Sequence, residues 1–94
     1  MLKNFADELT EDVYEGDYTH RVRIAMSNNT MKEAQRMLDI LNTIPDLQTL
    51  ITIPSIRTDG GVRDSHGEHS LPVDDRWRIV FRWNGNQAED VQIK

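Results

Sequence analysis

The sequence predicts an α+β fold, with helices packed on one face of a small antiparallel sheet, and three stretches carry that prediction. In Trp77-Arg-Ile-Val-Phe-Arg-Trp83 the side chains alternate without a break. Trp77, Ile79, Phe81 and Trp83 fall on one face of an extended segment, and Arg78, Val80 and Arg82 on the other, which is the period of a strand. Upstream, Ala34, Met37, Leu38 and Leu41 recur at helical spacing and form one apolar stripe. Asn84-Gly85, directly after the aromatic strand, is the strongest short hairpin signal in the chain. Laid across the aromatic face of the sheet, the helix closes one core.

In chain order, Leu2–Phe5 reads as a short edge strand. Asp7–Glu15 places Leu9 and Val13 four apart among acids, as in a short surface helix, and Gly16 stops it. Thr19–Met26 fits either a strand, through Val22, Ile24 and Met26, or a helix. Ser27-Asn-Asn-Thr30 is turn chemistry. Thr30 with Glu33 has the spacing of a capping box, which starts the main helix at Met31. That helix runs to about Asn42, and Pro45 ends it by disfavouring helical geometry at Ile44. One further turn is expected over Pro45–Leu50. Ile51–Gly67 is poorly patterned, broken by Pro54, Gly60, Gly61 and Gly67, and reads as a loop set against the sheet. Strand Glu68–Val73 follows, with Pro72 marking an edge or a bulge. Asp74-Asp75 makes a turn, Arg76–Trp83 is the aromatic strand, and Ala88–Lys94 closes the meander through Ala88, Val91 and Ile93.

A chain of 94 residues forms one domain with one core. Its hydrophobic share, 37%, is low and suggests a thin core that leans on a partner. There are no cysteines, which excludes disulfides and thiolate metal sites and agrees with a reducing cytoplasm. No apolar run reaches the ~20 residues of a membrane span, and residues 1–8 lack the apolar run of a signal peptide. The net charge of −5 opposes a simple nucleic-acid binder. Its distribution qualifies that. Residues 1–20 hold Asp7, Glu8, Glu11, Asp12, Glu15 and Asp17 against Lys3, whereas residues 57–82 hold Arg57, Arg63, Arg76, Arg78 and Arg82. Arg78 and Arg82 share the non-aromatic face of one strand, at an expected spacing of roughly 6–7 Å, one phosphate step. A stiff pair of arginines on a sheet face is where function is sought first.

The run Gly67-Glu-His-Ser-Leu-Pro-Val-Asp-Asp-Arg-Trp-Arg-Ile-Val-Phe-Arg-Trp83 resembles the HigB-type toxins, the plasmid maintenance system killer proteins of the RelE-like superfamily, whose corresponding run ends Asn-Asp-Gln-Trp-Arg-Ile-Cys-Phe-Arg-Trp. Ala88-Glu-Asp-Val-Gln-Ile93 continues the likeness. Phe5, Thr10-Glu11, Thr19-His20-Arg21, Leu38-Asp-Ile-Leu-Asn42 and Ile53-Pro-Ser-Ile-Arg57 extend it over nearly the whole chain. The resemblance implies a single RelE-like domain over residues 1–94 and a cytoplasmic toxin of a type II toxin–antitoxin system. It implies cleavage of mRNA at the ribosomal decoding site, without metal or other cofactor. It also implies a helix-turn-helix antitoxin, HigA-like, through which alone the pair meets operator DNA. The family's cleavage uses the RNA's 2′-hydroxyl as nucleophile, with protein groups moving protons and stabilising charge.

On that resemblance Arg78, the arginine after the tryptophan, holds the scissile phosphate, as a guanidinium fork does well. The plainer role is an arginine paired with a cross-strand acid such as Glu89. Arg57, Arg63 and Arg82 are candidates for the RNA backbone, or are ordinary surface charges. His66 and His69 are candidate general acids or bases. His69 stands where the family often has an aromatic and equally fits base stacking or a half-exposed strand position. His66-x-x-His69 has no third ligand pattern, so no metal site is assigned. Trp77 and Trp83 read as core. Family chains commonly end Asp-Tyr-His just after the last strand, where this sequence reaches Lys94, and place a histidine or lysine in the preceding loop, where Asp59, Gly61 and Arg63-Asp64 stand. Two expectations follow: a ribosome-dependent mRNA endonuclease, or a toxin-fold binding module that keeps antitoxin binding with cleavage impaired.

Overall fold

The computed structural model describes residues 2–53, 63–65 and 67–94, and for residues 51 and 63–65 the backbone alone. Four helices precede a sheet: α1 (Glu8–Tyr14), α2 (His20–Ala25), α3 (Asn28–Thr43), α4 (Leu47–Ile51), then β1 (Arg63–Ser65), β2 (Glu68–Pro72), β3 (Arg78–Asn84) and β4 (Gln87–Ile93). The strands form one antiparallel sheet in the order β1-β2-β3-β4. The α+β expectation holds, with one more strand than the meander predicted. β1 falls in the stretch read as loop, because it has only three residues and no alternation to reveal it. The rest of that expected loop, residues 54–62 and 66, lies outside the described residues. No described helix is long and apolar enough to cross a membrane.

Leu2–Phe5 lies beside β4, in parallel bridges of Leu2 with Ala88 and Phe5 with Val91. Lys3 N donates to Ala88 O at 2.8 Å and Ala6 N to Val91 O at 2.8 Å. Each short helix is started by a side chain. Asp7 accepts from Thr10 N, Thr19 from Val22 N and Asp46 from Thr49 N, each satisfying an amide that the first turn leaves open. The ambiguous Thr19–Met26 stretch is therefore a helix, begun by its threonine. α1 ends at Gly16, whose φ of 75° is the left-handed geometry that glycine adopts without strain.

The start of α3 corrects the sequence reading. Its cap is Ser27, which accepts from Thr30 N at 3.2 Å, and the helix begins three residues earlier than predicted. Glu33 does not reach back to Thr30 but pairs with Arg36 at 2.6 Å. Ser27 and Thr30 both have cap chemistry three residues before a suitable partner. The Thr30 hydroxyl instead donates to Asp74 Oδ2 at 3.0 Å, so the helix is free to begin upstream. It ends as expected, with Ile44 in extended geometry before Pro45.

Met31, Ala34, Met37, Leu38 and Leu41 of α3 are buried against Leu71, Ile79, Phe81, Ala88, Val91 and Ile93 of the sheet, with Val13 and Val22 from the short helices. Burying a Leu, Phe or Met fully contributes about 1.5–3 kcal/mol each. Of the predicted aromatic face, Ile79 and Phe81 are fully buried, while Trp77 and Trp83 are half-buried and packed against the core edge. Trp77 precedes β3, because Asp74 gathers the turn: its Oδ1 accepts from Arg76 N at 2.9 Å and Trp77 N at 2.8 Å.

β4 holds a bulge that the alternation rule misses. Ala88, Val91 and Ile93 are all buried, yet 88 and 91 have opposite parity. The register passes from Arg82↔Glu89 to Val80↔Gln92, so Asp90 and Val91 stand opposite Phe81. Asp90 takes φ 52° and resets the phase. The hairpin loop is also displaced by one residue from the Asn84-Gly85 prediction. Asn84 pairs with Gln87, and the loop is Gly85-Asn86, with a positive φ of 65° at its first position. That is the primed turn with glycine first. Pro72 sits in an interior strand, but beyond the reach of β1, which pairs only with Glu68–Ser70, so no ladder bond is lost on that side.

Candidate nucleic-acid interface

In an antiparallel sheet, paired residues share a face. The pairs His69↔Phe81 and Leu71↔Ile79 therefore belong to the helix-packed face, and Ser70↔Val80 and Pro72↔Arg78 to the opposite one. Val80↔Gln92 and Arg82↔Glu89 continue that second face onto β4. Lys94 extends it, exchanging backbone hydrogen bonds with Arg78 at 2.8 and 3.0 Å. The face away from the helices thus carries Arg78, Val80 and Arg82 in a row, flanked by Ser70 on one side and by Glu89, Gln92 and Lys94 on the other.

Arg78 is held. Its Nε donates to Ser70 Oγ at 3.1 Å and one Nη to Ser70 O at 3.2 Å, so a single residue of the neighbouring strand grips the guanidinium at two points. Glu89, its suggested partner, stands opposite Arg82 instead. The Glu89 carboxylate accepts from Asn84 Nδ2 at 3.0 Å and from Lys3 Nζ at 3.2 Å, and those bonds, together with the lysine charge, hold it below the usual carboxylate range against a small burial effect. Arg82 is exposed, and among the described residues no carboxylate is in ion-pair distance of it. The expected spacing of the two arginines is corrected. They are four residues apart with Val80 between them, about 13 Å of strand rise and two phosphate steps rather than one.

His69 is not brought to Arg78. Its ring lies 5.6 Å from that of Phe81 at 35°, on the helix side of the sheet, half-buried. Strand parity alone separates them: residue 69 pairs with 81 and so faces away from 78. This was legible in the sequence once the β2–β3 register was known, but no single-strand pattern gives a register. Arg63 takes the register position opposite Ser70, next to the row of arginines. Arg57 and His66 lie outside the described residues. Sequence reasoning missed Ser70, the residue that orients Arg78. A hydroxyl residue inside a strand gives no local signal of what it grips.

A family model described as the RelE-like toxin of the type II toxin–antitoxin system HigB matches residues 3–94. No curated protein matches the chain significantly. The match runs from Lys3 past the end of β4 and includes the strand that presents Arg78. The chain belongs to the HigB-like family of RelE-like toxins, whose type II systems pair each toxin with an antitoxin.

Proposed function

We propose that this toxin is a ribosome-dependent mRNA endonuclease, and that Arg78 holds the scissile phosphate on the sheet face away from the helices. The observation that carries the reading is the two-point grip of Ser70 on Arg78. A guanidinium oriented before the substrate arrives loses little side-chain entropy on binding and faces negative charge as it develops. Arg82, two phosphate steps along, follows the RNA backbone, and Arg63 and Arg57 are further candidates for it. In the reaction the 2′-oxygen attacks phosphorus, its proton passes to a base, and the departing 5′-oxygen takes a proton from an acid. Arg78 stabilises the crowded phosphate but stays protonated throughout. His66 is the candidate for proton transfer, with His69 second because it faces Phe81. A helix-turn-helix antitoxin of the HigA type neutralises the toxin, and operator DNA is met only through it.

The second reading, a binding module that retains the antitoxin but not cleavage, is favoured by one observation: no histidine lies on the described part of the arginine face. Primer-extension mapping of cuts in a message translated by purified ribosomes separates the two. Ribosome-dependent cuts that fall about 10²-fold or more in Arg78→Ala, and fall also in His66→Ala, support the enzyme. A chain that makes no cuts yet elutes as one complex with the antitoxin supports the binding module. Robust cutting unchanged by Arg78→Ala, His66→Ala and His69→Ala defeats this placement of the chemistry.

A further inference from the structure

Ile24 of α2 is 74% exposed, the large hydrophobic side chain that the described residues leave in solvent. It lies in an open groove of about 380 Å³ between α2 and the turn that joins β2 to β3. Tyr18 and Arg23 stand on one side, and Asp74, Arg76 and Trp77 on the other. Each arginine lies over a ring: the guanidinium carbon of Arg23 is 5.4 Å from the Tyr18 centroid, and that of Arg76 is 5.2 Å from the Trp77 centroid. Asp74, the carboxylate of the wall, is engaged by the amides of Arg76 and Trp77 and by the Thr30 hydroxyl. Two guanidiniums therefore face the groove against one occupied carboxylate, in a chain of net charge −5.

We infer that this groove is a docking site for the antitoxin, and that it takes an apolar side chain flanked by carboxylates on an amphipathic segment. The family supplies the protein partner, and the groove supplies the complement. An exposed isoleucine gains by burial against an apolar side chain. Guanidiniums already spread over aromatic rings have lost part of their freedom and part of their hydration, so pairing with a carboxylate costs them less. A nucleic acid fits poorly, because the ring faces that bases need for stacking are covered by the arginines. The inference rests on the antitoxin partnership of the family and not on RNA cleavage.

The test is isothermal titration of the purified toxin with the antitoxin encoded in the adjacent reading frame. Ile24→Asp and the double variant Arg23→Glu/Arg76→Glu should each weaken binding by about 30-fold or more, as central contacts do, and Ile24→Val should leave it within a few-fold. Ile24→Asp should melt within about two degrees of the wild type, since an exposed position contributes little to folding. It should also cut mRNA as the wild type does, so that a chain inactive on RNA leaves the docking result intact. Binding of Ile24→Asp within threefold of the wild type overturns the inference. So does a change confined to self-association of the toxin, seen by sedimentation velocity.

Discussion

Thr30 of α3 donates its hydroxyl to Asp74 Oδ2 across a separation of 44 residues, joining the first turn of the long helix to the turn between β2 and β3. The same carboxylate organises that turn through the amides of Arg76 and Trp77. Asp74→Ala should therefore destabilise the fold by about 1–2 kcal/mol, and Thr30→Val by about 1 kcal/mol. In a urea double-mutant cycle the two changes should couple. Strict additivity would mean that the bond between them contributes nothing.

The same group sets a pH dependence. Burial opposes ionisation of Asp74, but the amides of Trp77 and Arg76, the Thr30 hydroxyl and the Arg76 charge together hold its carboxyl below the ordinary value. A depressed carboxyl stabilises the fold above its unfolded pKa, about 3.9, and the contribution is lost as the pH falls through the folded value. The stability gap between wild type and Asp74→Ala should be constant from about pH 7 to pH 5 and should shrink below pH ~4. Urea midpoints at three pH values measure it. A gap that widens in acid has the wrong sign.

Asp90 has a left-handed backbone and a side-chain clasp. Asn4 Nδ2 donates to Asp90 Oδ1 at 2.9 Å, and Asp90 N donates to Asn4 Oδ1 at 3.1 Å. A β-branched residue resists φ 52°, so Asp90→Val should cost about 1–2 kcal/mol or more and lower the melting temperature by several degrees. Asp90→Gly relieves the backbone while losing one half of the clasp, and should stay nearer the wild type. Equal melting of the two variants would remove backbone geometry as the cause.

The two faces of β3 should respond oppositely. Phe81→Ala empties a fully buried site and should cost about 3–5 kcal/mol, a large share of the stability of a small domain. Val80→Ser, on the arginine face, should cost under about 1 kcal/mol. Far-ultraviolet circular dichroism in urea compares them directly. A Phe81→Ala variant as stable as Val80→Ser would contradict the assignment of faces.

If Ser70 aims Arg78, then Ser70→Ala removes the tie to Nε and leaves the one to the backbone oxygen. Cleavage in the ribosome assay should fall by about 3–10-fold, short of the loss in Arg78→Ala. A Ser70→Ala enzyme as impaired as Arg78→Ala would point to a direct role for the hydroxyl.

The long elements were legible because each carries its own periodicity. The α3 stripe and the Arg78–Trp83 alternation both sit where the sequence placed them, and the family resemblance rested on the same stretches. What local pattern could not give was whatever depends on a second segment. Thr30 resembled a helix cap until Asp74, far along the chain, claimed its hydroxyl. Ala88 and Val91 share a face only because Asp90 adds a residue opposite Phe81. His69 was a candidate acid or base, and the register of β2 against β3 sets it on the other side of the sheet from Arg78. Ser70, which aims the central arginine, is silent in one dimension for the same reason.

Residues near the two ends of the sequence meet at one sheet edge: Lys3 with Ala88, Asn4 with Asp90, and Thr10, whose buried hydroxyl accepts from Ile93 N at 2.9 Å. During synthesis, residues 2–10 emerge well before β4 and wait for it. A chain broken off before β4 loses the partner of its edge segment, the anchor of α1 and the floor beneath α3 together. Loop-closure entropy for such distant pairs is met only once β4 has been made. The fold is therefore completed late, and this toxin becomes fully structured only after its own synthesis has passed β4.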